Sequence, residues 1–557
     1  MSEGRNSMGR TLIHSGEPLS EGNLHGLILY DAASSPCARR VRIALLEKEL
    51  DWDTVSVNLG GLEQRSADFL ALNPNGVVPV LAHGERVIFE SGVINEYLDV
   101  AFPSHPLFPS DARLRARVRM WQAMELEMAK TFRPLMYQRV LGPLTHISRT
   151  LDEALAIARK SSVDPFDIEW ASRVWSMTVL SPEEERHVEM VLLDWLGHVE
   201  RALTDSRFLV GDSFTYADLA VFPRVEMYAN GGLSIEPSQF PETVRWMLEV
   251  SQRPSVISSL PEEAAKSAEL ARSPFLAKIR KHLATPVAYR DDAFSEELQQ
   301  FAAGMREKQK IDAQLAGEIS PRKLPQPTLG PIAPESKLES PAVGLPAKTL
   351  VLFGADGSPH TKRIVDLMTL LGLEFEYQSV DLARNENMTP RIRAISPLGK
   401  LPVLVADGMA IFDSGTIADF LLSQAPNSIR PAPRSDVRIA EERMWLAHEA
   451  GIHKEVAIVL GDHKDPDGNV HKPPLAVRQV EFASARLRTA FEKVSAALND
   501  RSFLMGAAIS FVDLAWSSRL ENLRSTAIGE QLLTLKNIPE WQERVAREVD
   551  SRTSVPG

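Results

Sequence analysis

Cysteine is nearly absent from this sequence, since Cys37 is the single one in 557 residues. One cysteine cannot close a disulfide within the chain, and a chain without disulfides fits a reducing compartment. We therefore expect a cytoplasmic protein. Residues 1–26 contain no hydrophobic core of the kind that a secretory signal needs. They are predicted to form a disordered tail.

Long apolar runs and an excess of positive charge are also missing. No run approaches the roughly 18 apolar residues of a membrane span, and the formal net charge is −12. Nucleic-acid binding needs a basic surface because phosphate contacts dominate the affinity. We expect no membrane span, no nucleic-acid partner and no metal site. The 44% apolar and 24% charged content is that of an ordinary globular protein with several domains.

One stretch of the chain occurs twice. Residues 27–92 align without a gap on residues 350–415, a shift of 323 positions (350 minus 27). The identical positions cluster around Ser35 and Ser358, around Pro79 and Pro402, and in the Ser-Gly pairs that end both stretches. A repeat of this length predicts one compact unit that is used twice.

The pattern inside the repeat mixes strands with helices. An apolar run at 27–30 predicts a buried strand, and Pro36 favours the first turn of a helix that reaches about Glu49. Alternation over 52–59 predicts a second strand, and a short helix follows at 66–72. Strands at 77–81 and 86–90 precede a helix that starts at Ser91. This order (βαβ, α, ββα) is typical of a thioredoxin-like domain.

Beyond residue 111 the pattern changes to long helices. Residues 113–140 and 182–203 both have a helical apolar period. Thr215 with Asp218 predicts an N-cap with a reciprocal acidic partner, and Ser510 with Asp513 repeats it. Each copy is therefore predicted to be a small α/β domain followed by an all-α domain.

These patterns place the domain boundaries. The proline content of 321–346, seven in 26 residues, is too high for a packed core and predicts a semi-extended linker. The predicted segments are a tail (1–26), thioredoxin-like domain 1 (27–102), helical domain 1 (103–258), a helix-prone and then proline-rich linker (259–347), thioredoxin-like domain 2 (348–425), helical domain 2 (426–548) and a tail (549–557).

Three motifs occur in the same order in both copies. They are residues 34–42 with 357–360, residues 73–81 with 396–404, and Glu90-Ser91 with Asp413-Ser414. The first resembles the Ser-type active-site turn of the theta and zeta classes of soluble glutathione transferases. The second resembles the proline loop of that family, and the third its acidic-Ser turn. The capped helices also match the family's helical domain. The chain thus resembles two glutathione transferases fused in tandem.

The resemblance implies that a serine hydroxyl activates the thiol of glutathione. A hydroxyl at the open N-terminus of a helix can donate to a sulfur anion, and the helix dipole favours negative charge there. More thiolate means more nucleophile. The candidates are Ser35 or Ser34 in the first copy and Ser358 in the second. The alternative interpretation is that these serines only cap their helices.

The resemblance also implies the residues that bind glutathione, the co-substrate. If the bonds before Pro79 and Pro402 are cis, the backbone of Val78 and Leu401 can pair with the tripeptide. The acidic-Ser turns would receive its γ-glutamyl end, or else only cap the next helices. The full predicted set is Cys37, Val78, Pro79, Glu90 and Ser91, with His360, Lys400, Leu401, Pro402, Asp413 and Ser414 in the second copy.

Some alternatives stay open from the sequence alone. Cys37 fits a small buried side chain as well as a glutathione contact, and His360 fits a solvated helix residue. The predicted function is a glutathione transferase that acts on a small apolar electrophile by conjugation, ether cleavage, dehalogenation or isomerisation. The alternative is a non-catalytic binding or scaffold protein with at most one active half. Pairing is expected either within the chain, as a pseudo-dimer, or between two chains.

Overall fold

The structure, a computed structural model, describes residues 25–84, 86–161, 165–318, 349–425, 436–461 and 474–553. Residues 1–24 of the predicted tail and residues 319–348 of the predicted linker lie outside these ranges. Within them the chain forms two compact units. The first holds 25–107 and 124–318, and the second holds 108–123 with everything from 349 onward.

The first unit begins with a four-stranded sheet in the order β2-β1-β3-β4. Strand β1 runs parallel to β2 and antiparallel to β3, which pairs in turn with β4. The predicted strand at 77–81 starts only at Val80, because Pro79 has no N–H for the ladder. The bounds are β1 Leu27–Asp31, α1 Pro36–Glu47, β2 Asp53–Ser56, α2 Ala67–Leu72, β3 Val80–His83, β4 Arg86–Phe89 and α3 Ser91–Ala101.

Eleven further helices precede the second sheet in the described ranges. They are α4 Ala112–Met136, α5 Gly142–Ser148, α6 Leu151–Ser161, α7 Pro165–Trp175, α8 Pro182–Leu203, α9 Tyr216–Glu226, α10 Pro241–Ser251, α11 Pro254–Ser258, α12 Glu262–Arg272, α13 Pro274–Ala284 and α14 Asp292–Glu318. A π-helical turn, Tyr137–Leu141, joins α4 to α5.

The helix-prone segment after residue 259 is helical, as its sequence predicts. Helices α13 and α14 pack against α5 through a buried apolar cluster that includes Ile147, Ile279 and Phe294. Arg306 on α14 donates to the carbonyl oxygens of Ile147 and Ser148 at 3.3 and 3.2 Å. These helices therefore belong to the packed core of the first unit.

The second unit repeats the sheet and its helices. Its strand order is β6-β5-β7-β8, with the same parallel and antiparallel pairs. The two sheets confirm the predicted thioredoxin-like units. The bounds are β5 Leu350–Gly354, α15 Pro359–Leu370, β6 Glu376–Ser379, α16 Pro390–Ile395, β7 Val403–Ala406, β8 Met409–Phe412, α17 Ser414–Gln424, α18 Asp436–Gly451, α19 His453–Gly461, α20 Pro474–Ala497, α21 Phe511–Leu523, α22 Ala527–Leu532 and α23 Ile538–Thr553.

Both predicted capping boxes are present. Asp218 accepts from the backbone N–H of Thr215 at 3.0 Å, and Asp513 accepts from that of Ser510 at 2.9 Å. The same carboxylates also accept from Trp246 and Trp541, each at 2.9 Å. The caps thus fix α9 and α21 against their neighbours. No helix in the described ranges is long and apolar enough to cross a membrane.

Candidate functional site

Strand register brings the three motifs of each copy to one end of its sheet. In the first sheet Tyr30 lies opposite Val80, and Val80 lies opposite Phe89. At this end of the sheet, β1 continues into the loop that leads to Ser35, Pro79 directly precedes β3, and Glu90 directly follows β4. Motifs far apart in sequence are therefore neighbours because they extend from adjacent strand ends. The second sheet repeats this register through the pairs Phe353–Val403 and Val403–Phe412.

A serine caps the first helix of each copy. The Oγ of Ser35 accepts from the backbone N–H of Ala38 at 3.2 Å, and that of Ser358 accepts from Thr361 at 3.4 Å. Accepting this bond leaves the hydroxyl hydrogen available to donate elsewhere. Both serines therefore cap their helices, and whether they also activate a thiol stays a prediction.

The residues beside these caps differ between the copies. The side chain of Ser34 is exposed, whereas its counterpart Gly357 has φ +75°. Glycine suits that left-handed conformation because it carries no Cβ. Cys37 and its counterpart His360 occupy the second position of their helices, and both are partly exposed. The ring of His360 also contacts Arg519, so it is only partly solvated, and its contact with glutathione stays a prediction.

The two proline loops have the same backbone. The Val78–Pro79 and Leu401–Pro402 bonds are both cis. A side chain braces each loop from inside: Asn73 donates to the carbonyl oxygen of Val77 at 2.7 Å, and Ser396 donates to that of Lys400 at 2.9 Å. Lys400 itself is exposed, while Val78 is buried.

The acidic-Ser turns share a backbone but direct their carboxylates differently. Glu90 and Asp413 have φ +68° and +72°, which is rare for residues with a side chain. Glu90 accepts from the side chain of Asn75 at 2.9 Å, whereas Asp413 accepts from the backbone N–H of Thr416 at 3.0 Å. Burial raises the pKa of Glu90, against the opposing effects of Asn75 and Arg40. The serines that follow, Ser91 and Ser414, are buried.

In the second unit a buried ionic cluster joins the first half of α15 to α18 and α21. Arg363 from α15 binds both oxygens of Glu449 from α18, at 2.9 and 3.1 Å. Arg519 from α21 donates to the same carboxylate at 2.7 Å. All three residues are at most 3% exposed. Burial would raise the pKa of Glu449, but the two arginines hold it at about 2.

The first unit contains the same cluster. Arg40 from α1 forms an ion pair with Glu125 from α4, and Arg224 from α9 donates to Glu125 at 3.0 Å. The guanidinium of Arg224 also lies 4.0 Å from the sulfur of Cys37. The hydroxyl of Tyr228 is buried near this cluster with no hydrogen-bond partner among the described residues. Each cluster ties the thioredoxin-like helix to two helices of the helical part.

Sequence reasoning missed the outer arginines of these clusters. Arg40 recurs as Arg363 within the gapless repeat, whereas Arg224 and Arg519 lie outside it. A signal was present, since each arginine stands six positions after the aspartate of its capping box (224 minus 218, 519 minus 513). Aligning the copies on their caps would have paired them.

His360 is held within the second cluster. Its Nε2 lies 3.4 Å from Nη2 of Arg519. Burial, followed by the charge of Arg363, lowers the pKa of His360 to about 3. His448 from α18 stacks on Trp516, and burial lowers its pKa to about 4.

The large apolar side chains of α4 mostly belong to the core of the first unit. Met124, Met128 and Phe132 are at most 4% exposed. Tyr137 instead stacks edge-on against Trp170 of α7, with ring centroids 5.3 Å apart. Within the described ranges no group of three or more His, Cys, Asp or Glu side chains could hold a metal ion.

Family models match both copies. Two models of the glutathione S-transferase N-terminal domain match residues 34–101 and 352–429, and a model of the C-terminal domain matches residues 183–254. These matches cover strands β2 to β4 of the first sheet, helices α9 and α10, and most of the second sheet.

Individual proteins resemble parts of the chain. A zeta-class glutathione S-transferase from Euphorbia esula is 32% identical over 249 residues, which cover 45% of this chain and 96% of that protein. A maleylacetoacetate isomerase from Dictyostelium discoideum is 27% identical over 239 residues, covering 42% and 93%. Among solved structures, a beta-etherase from Sphingobium sp. strain SYK-6 is 24% identical over 42% of this chain and 98% of its own, with a TM-score of 0.37.

Proposed function

The chain belongs to the glutathione S-transferase family of enzymes, which use glutathione as co-substrate, and we propose that both copies activate its thiol for attack on a small apolar electrophile. The thiol loses its proton, and the thiolate forms a carbon–sulfur bond with the electrophilic carbon. A leaving group departs with its electron pair in conjugation, ether cleavage and dehalogenation. In isomerisation, glutathione itself is released again.

The observation that carries this proposal is the repeated serine cap. Ser35 and Ser358 each stand at a helix N-terminus with the hydroxyl hydrogen free to donate. A thiolate placed there gains that hydrogen bond and the favourable end of the helix dipole. Both effects stabilise the anion more than the thiol, so they lower the pKa of bound glutathione.

The neighbouring motifs suit the rest of an extended, anionic tripeptide. The backbone of Val78 or Leu401 would pair with its main chain. The carboxylate of Glu90 or Asp413 would meet its ammonium group, and the serine that follows would donate to its carboxylate. Lys400 adds a positive charge to the second loop that the first loop lacks. We expect similar affinity at the two sites but different chemistry, because Cys37 and His360 stand beside the sulfur.

Isomerisation is a second candidate reaction for the same thiolate. It is favoured by the similarity to a zeta-class protein and to a maleylacetoacetate isomerase. Addition of the thiolate to a conjugated double bond allows rotation about the resulting single bond, and elimination then restores the thiolate. This reaction consumes no glutathione, so product analysis separates it from conjugation.

Calorimetric titration of the full chain with glutathione tests the proposal by counting sites. Two sites per chain are expected, with Ser91→Ala and Ser414→Ala each weakening one of them. Absence of glutathione binding to the chain would contradict the proposal. One site only would support the alternative of a single active half. Two sites without turnover of an activated aryl chloride or a conjugated cis-alkene would support a binding protein instead.

A further inference from the structure

In the second copy, the buried guanidinium of Arg519 contacts the imidazole of His360, which lies two residues after the capping Ser358. We propose that Arg519 is a positioning residue that keeps His360 neutral, with its hydrogen on Nδ1, as a donor for the sulfur bound at the start of α15. This inference rests on the proposed function and adds a specificity-determining pair to its second site. The sulfur donors there would be Ser358 and His360.

The hydrogen-bonding capacity of the two side chains decides the tautomer. Nη2 of Arg519 lies 3.4 Å from Nε2 of His360. A guanidinium carries only donors, so Nε2 must be the acceptor and cannot hold a hydrogen. A neutral imidazole then carries its hydrogen on Nδ1. Nδ1 makes no hydrogen bond within the described part of the chain.

The charged groups around His360 keep it from becoming an imidazolium. Arg363 and Arg519 face it from α15 and α21, Glu449 faces it from α18, and His453 lies next to it, with ring centroids 6.0 Å apart. Two guanidinium charges against one carboxylate disfavour a further cation in a partly buried place. His360 is therefore neutral throughout the physiological pH range.

Arg519 is itself immobilised. It is 1% exposed, and its Nε donates to Glu449 at 2.7 Å. Arg363 fixes the other side of the same carboxylate. A guanidinium held at its Nε in this way has little freedom to turn its Nη2 away from the imidazole. The ionic cluster thus supports the histidine as well as the packing of three helices.

The first copy shows the same arginine beside a different side chain. Arg224 occupies the place of Arg519, and the group it approaches is the sulfur of Cys37, at 4.0 Å. A thiol is only a weak hydrogen-bond donor. The first site therefore lacks the imidazole donor. The buried arginine contacts a sulfur in the first copy and an imidazole nitrogen in the second.

Nitrogen-15 NMR of the full chain with labelled histidine tests the tautomer directly. His360→Gln identifies the resonances of His360, and folding of each variant is checked by circular dichroism. We expect an Nδ1–H tautomer that shows no protonation between pH 5 and 8. An Nε2–H tautomer, or a protonation midpoint inside that range, would overturn the inference. The parent chain answers this question without any substitution at the cluster.

Variants add a catalytic readout in a chain that carries Ser91→Ala, so that the second site dominates. Arg519→Lys should change the His360 resonances, whereas the matched Arg224→Lys should not. His360→Phe should lower kcat about tenfold, the effect of losing one hydrogen bond to a charged atom, with KM for glutathione within about twofold. Unchanged kcat would contradict the donor role.

If no glutathione binds while the Nδ1–H tautomer is present, the proposed function fails and the donor role fails with it. If turnover persists with an Nε2–H tautomer, only this inference fails.

Discussion

Arg363 and Glu449, which lie 86 positions apart in the chain, form a bidentate ion pair between α15 and α18, with Nη1 3.1 Å from Oε2 and Nη2 2.9 Å from Oε1. Neither residue is more than 3% exposed. A pair this buried gains little over an apolar pair, but removing one partner leaves the other charged and unpaired. Because Glu449 serves two arginines, its removal affects the whole cluster.

Glu449→Gln should therefore destabilise the second unit by about 3–5 kcal/mol, since it leaves Arg363 and Arg519 without a compensating charge. Urea unfolding followed by tryptophan fluorescence measures the loss. Glu492→Gln is the matched control, because Glu492 pairs with Arg488 on an exposed face of α20. That change should cost less than about 1 kcal/mol. Equal effects for the two variants would contradict the role of the cluster.

The same carboxylate makes the second unit sensitive to acid. The pKa of Glu449 is held at about 2, below the ordinary value of 4.5. The ionised form is thus favoured by folding, and its contribution is complete above about pH 4.5. It is lost as the pH falls from 4.5 towards 2, because protons then bind the unfolded chain more readily. Unfolding midpoints across this range should fall less steeply in Glu449→Gln than in the parent.

Ser35→Ala and Ser358→Ala should each slow turnover at their own site about 10- to 100-fold, as expected when one donor to a developing anion is removed. The dissociation constant of glutathione should change less than about twofold. Each alanine also removes a helix cap, at a cost of about 1 kcal/mol. The threonine variants keep both cap and hydroxyl and should retain most activity. Full turnover in both alanine variants would show that another group activates the thiol.

Glutathione affinity at the first site should fall as the medium becomes mildly acidic. Burial raises the pKa of Glu90 above the ordinary value of 4.5, so this carboxylate takes up its proton at a higher pH than usual. The protonated form loses its attraction for the ammonium group of glutathione. Titrations from pH 7 to 4.5 in a Ser414→Ala chain measure this. Glu90→Gln should bind about tenfold more weakly at pH 7. A pH dependence that survives this substitution would assign the titration to another group.

We expect the chain to be a monomer of 61.7 kDa in solution. The second unit already includes Phe108–Ala123, the start of a helix from the first copy. Arg119 in that segment binds Asp419, with Nη1 3.1 Å from Oδ2, and the aspartate is 1% exposed. The second unit thus takes this segment from its own chain and needs none from a second chain. Light scattering gives the mass directly, and a value near twice that of the chain would argue for a homodimer.

Several features of the site were readable from the sequence, since they depend on short stretches. Pro36 after Ser35 predicts where α1 begins. The aspartate three positions after Thr215 or Ser510 predicts a capping box at the start of α9 or α21. The apolar pattern predicts the start of β3 at residue 77, three residues before Val80, because apolar content extends through Pro79 while ladder hydrogen bonds do not. The sequence predicts helix after residue 259, as found, but it does not predict that these helices join a packed core.

The sequence by itself determined the repeat, the serine caps, the capping boxes and the order of the three motifs. Each of these features depends on residues that lie close together in the chain. Only the tertiary structure decided that Arg519 reaches both Glu449 and His360, and that Arg224 reaches Cys37. These side chains come from separate helices, and their spacing carries no local periodicity. Their meeting depends on how the helices pack, so the chemical difference between the two sites emerges only in the folded chain.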